Sequence, residues 1–63
     1  MDYYITKIIG NDRTILSKHS NLDDALKEGE SKYKELKCTI DCISGEIDNK
    51  GNINGKYRVY KVW

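Results

Sequence analysis

Few side chains here have the means to do chemistry, and each has a competing structural role. His19 is the single histidine, with Ser17, Ser20 and Asp23 close by in sequence. A hydroxyl, an imidazole and a carboxylate form a nucleophilic device when the base reaches the hydroxyl and the acid orients the base. These residue types also end a strand and begin a helix. Ser20 is suited to cap a helix, and Asp23 three residues later completes a capping-box-like pair. Capping and turn chemistry account for the group, so His19 is read as an exposed loop residue.

Cys38 and Cys42 are the next candidates. They fall within one predicted strand, where four residues at about 3.3 Å each hold their Cα atoms roughly 13 Å apart. A disulfide needs less than about 7 Å, so the two cannot bridge within that strand. A zinc site wants four ligands, and His19 is the one further soft donor. Both thiols therefore read as reduced core residues on the same face as Ile40, a usage typical of the cytoplasm.

The stretch Asp48-Asn49-Lys50-Gly51-Asn52-Ile53-Asn54 has the composition of a calcium loop. The helix–loop–helix calcium pattern wants oxygen at its third position, glycine at its sixth and glutamate at its twelfth. Counted from Asp48, these are Lys50, Ile53 and Val59, so the match fails and a hairpin turn with Gly51 left-handed is the better reading. The glycines at 10, 29, 45, 51 and 55 make no phosphate-cradling run. No carboxylate pair stands out for acid–base work. The expectation is a protein that is not an enzyme, with no cofactor and no metal.

The elements that would position these residues are clear from periodicity. Tyr3 to Ile9 is dense in β-branched and aromatic residues and reads as a strand. Gly10-Asn11-Asp12 supplies a tight turn, and Thr14 to Ser17 the return strand. Ser20 to Leu36 reads as a helix, with Leu22, Ala25, Leu26, Gly29, Tyr33 and Leu36 along one stripe. Gly29 costs about 1 kcal/mol relative to alanine inside a helix. Its place on the apolar stripe implies close approach to the sheet, beneath Trp63 or a tyrosine. Cys38 to Ile47 and Lys56 to Trp63 form a second hairpin, with Gly45 a candidate bulge.

The predicted fold is α+β: ββαββ, one domain over residues 1–63, a four-stranded antiparallel sheet with one amphipathic helix on one face. The expected core is Ile5, Leu22, Ala25, Leu26, Tyr33, Leu36, Cys38, Ile40, Cys42 and Val59. The first and last strands, being the most apolar, are expected side by side at the centre, with the second and third at the edges.

A chain of 63 residues buries only about 60% of the surface it exposes when unfolded. The apolar stretches are far short of the ~20 residues that cross a bilayer, and nothing resembles a leader, so neither membrane nor export is expected. Abundant Lys, Ile and Asn with no Pro fit an AT-rich bacterial or phage genome. A formal net charge of +1 disfavours a dedicated nucleic-acid binder.

One helix covers one face of a four-stranded sheet, yet both parities of the first and last strands carry large side chains. Exposed apolar area with tyrosine and arginine marks a contact surface. Taking the other parity to face the helix, Tyr4, Arg58, Tyr60 and Val62 are the candidate contact set. The partner expected is a second copy, giving a homodimer, or another protein. The alternative is single-stranded nucleic acid, with tyrosines stacking on bases and Lys7, Arg58 and Lys61 on phosphates. The RNA-recognition motif uses an open sheet in this way, but this chain lacks its second helix and its aromatic signature.

Overall fold

A computed structural model describes residues 2–48 and 52–63. Asn49, Lys50 and Gly51, where the left-handed turn is expected, lie outside the described residues. The elements run β1 (Tyr3–Ile9), β2 (Asp12–His19), α1 (Leu22–Leu36), β3 (Thr39–Ile47) and β4 (Ile53–Val62). The strands form one antiparallel sheet in the order β2-β1-β3-β4, with α1 packed on β1, β2 and β3. This is the predicted ββαββ architecture.

The strand order corrects one expectation. β3, not β4, lies beside β1, and β4 is an edge. The physical reason is in the side chains. β3 buries Ile40, Asp41, Cys42, Ile43 and Ser44 in succession, and a strand buried on both faces belongs in the interior of a sheet. β4 carries Lys56, Arg58 and Lys61, which an edge keeps hydrated and which blunt edge-to-edge pairing. Apolar content alone does not make a strand central.

The helix begins one residue later than its pattern suggests. Asn21, not Ser20, is the N-cap: its side-chain oxygen accepts from the N–H groups of Asp23 (2.8 Å) and Asp24 (3.3 Å). Asparagine caps as well as serine, and this register sets both aspartates in the first turn against the positive end of the helix dipole. At the other end Lys37 adopts the left-handed conformation (φ 54°) and donates its N–H to the Tyr33 carbonyl, a C-cap position usually given to glycine or asparagine.

The buried cluster is Ile5, Ala25, Ile40 and Cys42, with Leu22, Leu26, Cys38, Leu16, Tyr3, Tyr60 and Trp63 packed around it. Burial along the helix stripe ends at Gly29. Tyr33 and Leu36, expected in the core, stand 43% and 41% exposed, because they lie on the final turns past the part of α1 that the cluster reaches. Gly29 does the work its position implies: a Cβ there would collide with the Trp63 indole. A glycine on the helix and an indole on the sheet side thus form one packing unit.

Two irregularities turn the edge strands. Between Ile5 and Thr6 the register with β2 shifts by one residue, leaving Leu16 extra and packed on the helix-side cluster. Between Cys42 and Ile43 the register with β4 also shifts, and the extra residue is Tyr60. A bulge reverses which residues face which side. Val59, expected in the core, is therefore 45% exposed, while Tyr60 packs towards the helix. A second shift falls beside Gly45, where a bulge is expected.

Candidate contact surface

The face away from the helix is built around Asp41. Ile40 and Cys42 pack with Ala25 of the helix, so alternation turns Asp41 between them to the opposite side. It is only 2% exposed. The Thr6 hydroxyl donates a hydrogen bond to one of its carboxylate oxygens. Arg13 pairs with the other at 3.2 Å. The guanidinium in turn lies over the Tyr57 ring, 5.0 Å from its centroid. A buried carboxylate is tolerable only when paired and hydrogen-bonded, and here β1 supplies the hydrogen bond and β2 the cation, with Tyr57 of β4 against that cation. Thr6 and Ile43 on the same side are also fully buried. The Arg13 Nη1 is enclosed without a hydrogen-bond partner, so the network is satisfied at its carboxylate and incomplete at its cation.

Outside this sealed centre the face is apolar and open along β4. Val62 pairs with Asp41, Val59 with Ile43 and Tyr57 with Gly45, which sets all three on the face away from the helix. They are 58%, 45% and 46% exposed. The other side of β4 is cationic: Arg58 lies over the Tyr60 ring at 5.6 Å, and Lys61 over the Trp63 ring at 5.3 Å.

Of the four residues read from the sequence, Tyr4 and Val62 do share the face opposite the helix, through their partners Ile43 and Asp41. Tyr60 does not. It packs on the helix-side cluster, meets Tyr3 edge-on at 5.3 Å and is hydrogen-bonded to Ser44 (3.2 Å). Arg58 goes with it, over its ring. The bulge at Tyr60 is what separates the set. Sequence reasoning did not assign the Asp41–Thr6–Arg13 network, nor Tyr57 and Val59 as part of the exposed set. An acid between Ile40 and Cys42 in an alternating strand was the available signal for the first.

The residues with catalytic chemistry resolve into local structure. His19 ends β2 rather than lying in a loop, half-buried, with the Ser17 hydroxyl 3.2 Å from its Nε2. Residues two apart on a strand share a face, which accounts for the contact. Both cysteines are free thiols, Cys42 buried and Cys38 half-buried. Burial pushes the Cys42 thiol above its ordinary range, with the neighbouring Asp41 charge adding to the effect. Among the described residues no cluster of three or more His, Cys, Asp or Glu could hold a metal, and no helix is long and apolar enough to cross a membrane. No cavity opens beside His19 or elsewhere in the described residues.

No family model, curated protein or solved structure matches the chain.

Proposed function

We propose that this chain is a non-enzymatic protein-binding module whose contact surface is the edge strand β4. The observation that carries the reading is the alignment of Tyr57, Val59 and Val62, all large and substantially exposed, on one face of an edge strand. Contiguous apolar exposure of this kind is a feature of recognition surfaces, and an edge strand offers unpaired backbone groups in addition. The free thiols support a cytoplasmic setting, and the composition a bacterial or phage source.

Single-stranded nucleic acid fits this surface less well. Binding it needs aromatic faces on which bases can stack. Tyr60 is engaged by Tyr3 and Arg58, Trp63 by Lys61 and the helix at Gly29, and Tyr57 by Arg13. Along β4 each of these rings already has a partner, and Val59 and Val62 between them offer no stacking face.

Selection of a random peptide library on the immobilised chain tests the reading, with oligothymidylate binding measured in parallel. Expected are peptides that bind the native chain and lose binding with Tyr57→Ser or Val62→Ser, but not with Glu30→Gln on the helix. An absence of peptides that depend on Tyr57 and Val62 would overturn it. So would oligothymidylate binding that weakens steeply with salt and is lost with the same two variants.

A further inference from the structure

We infer that the partner received at β4 is an extended segment alternating acidic and apolar side chains, added as a fifth strand along the outer edge. This rests on β4 being the contact surface and goes further by naming the partner's chemistry.

β4 stands at the end of the order β2-β1-β3-β4 and, among the described residues, pairs with β3 alone. Trp63 donates its N–H to the Ile40 carbonyl at 2.8 Å. Hydrogen-bonded and non-hydrogen-bonded pairs alternate in an antiparallel ladder, so Val62 directs its own N–H and C=O outward. Strand addition at such an edge draws affinity from main-chain hydrogen bonds and specificity from alternate side chains.

The side chains supply that specificity because β4 is sorted by face. Tyr57, Val59 and Val62 lie on the face opposite the helix, and Arg58 and Lys61 on the helix side. A strand laid beside β4 continues the same alternation, so residues directly opposite share a face. One half of its side chains would meet aliphatic and tyrosine surface, and the other half two cations.

The sign of the charge selects the occupant. β4 carries Lys56, Arg58 and Lys61 and no acid, although the whole chain is near neutral. The acids are concentrated on α1, at Asp23, Asp24, Glu28, Glu30 and Glu35. A second copy pairing through β4 would align two cationic strands: the antiparallel register that sets Tyr57 opposite Val62, both on the face away from the helix, also sets Arg58 opposite Lys61. Like charges directly opposite are destabilising. The edge thus disfavours its own copy and favours acids. A phosphate backbone could meet the cations, but it would leave the aliphatic half of the strand without a partner.

The test is a titration of the full chain, followed by amide NMR, with an octapeptide alternating valine and glutamate. Its block isomer, four valines then four glutamates, has the same charge and composition. The alternating valine–lysine peptide and oligothymidylate complete the set. The alternating acidic peptide is expected to perturb β4 amides, slow exchange of the Val62 amide and bind about ten-fold or more tighter than the block isomer. Its binding should weaken with salt, because exposed charges are screened. Arg58→Glu combined with Lys61→Glu, both exposed residues, should move the preference to the valine–lysine peptide while the circular dichroism stays native. Equal binding of the two isomers, perturbation centred on β2, an unchanged preference in the reversed variant, or no peptide binding at millimolar concentration would each overturn the inference. So would oligothymidylate binding in place of peptide, or a dimer abolished by Val62→Ser. Library peptides that need Tyr57 and Val62 but lack alternating acids would sink this inference and leave the β4 surface standing. No such peptides at all would sink both.

Discussion

The two faces of the sheet solve burial in different ways. The helix-side face is covered by a second layer, and what it buries is apolar: Ile5, Ile40 and Cys42 against Ala25, with Trp63 filling the space under Gly29. The opposite face has no helix, yet Thr6, Asp41 and Ile43 at its centre are as completely buried. There the cover comes from the sheet itself, with Arg13 reaching in from β2 and Tyr57 from β4. A sheet without a second layer can thus still bury its central strands, provided the edge strands carry long side chains. It also separates two jobs. Apolar burial under the helix drives folding, whereas a buried ion pair is weak evidence for stability. The Asp41 network joins β1, β2 and β3, and a one-residue slip of any of them would turn its member to the wrong face. The network therefore serves strand register more than net stability.

Paired truncations separate the two faces most directly. Ile40 and Ile43 have the same side chain and the same complete burial, but only Ile40 belongs to the helix-side cluster. Ile40→Ala should cost about 4 kcal/mol, enough to unfold much of a domain this small. Ile43→Ala should cost about 2 kcal/mol, since the side chains over it can settle inward. Urea denaturation of both variants, with the slopes compared, provides the check. Equal losses would mean that the two faces are packed alike.

The Asp41 network comes next in size. Asp41→Ala leaves the Arg13 guanidinium facing a void, and breaking a buried pair costs about 3–5 kcal/mol. The Arg13 side chain is 24% exposed and can turn to water, so about 2–3 kcal/mol is expected, short of the Ile40 loss. Replacing Thr6, Arg13 and Asp41 together by valine, methionine and leucine should restore most of the stability. Amide spectra of that triple variant should nonetheless show more than one state for β2. A single sharp spectrum would remove the register argument.

How much of this contrast was legible in the sequence follows from what each pattern encodes. The ββαββ order and the single helix were plain, because strand alternation and helical periodicity are local signals. Gly29 was legible too: a glycine on an apolar stripe has few explanations other than close approach, and Trp63 is what approaches. The strand order was not, because apolar content alone does not place a strand at the centre when Lys and Arg hold it at the edge. Nor was the facing of Tyr60. One extra residue in β4 inverts parity, and bulges are set by pairing with β3, which no local window contains. The candidate set of Tyr4, Arg58, Tyr60 and Val62 was divided for that reason alone. Asn21 replaced Ser20 as the cap because two good caps stood side by side, and the aspartates decided between them.

A smaller effect is expected at Gly29. Alanine there gains up to about 1 kcal/mol of helix propensity, but its methyl group must displace the Trp63 indole. Overpacking costs about 1–3 kcal/mol, so Gly29→Ala should destabilise by about 1 kcal/mol net, with a shift in tryptophan emission. In a Trp63→Leu background the same substitution should stabilise instead. A loss of equal size in both backgrounds would show that the glycine and the indole are not one unit.

The smallest expected effect couples the two faces. Cys42 lies under the helix and Asp41 beside it on the other side, yet the Asp41 charge adds to burial in raising the Cys42 thiol. A raised folded value means that the native state keeps this proton when the unfolded chain has already lost it. The contribution to stability is therefore constant below the ordinary thiol range near 9.0. It then declines as pH rises through the folded value, by no more than about 1.4 kcal/mol per pH unit. Cys42→Ala should remove that part of the alkaline decline. Asp41→Asn should move its end to lower pH, because the second cause of the shift is gone while burial persists. Difference titrations of the thiolate absorbance on the native chain and on Asp41→Asn measure this directly. An identical midpoint in the two would mean that the carboxylate acts only on its own face, through Arg13 and Thr6, and that the two sides of the sheet are electrostatically independent.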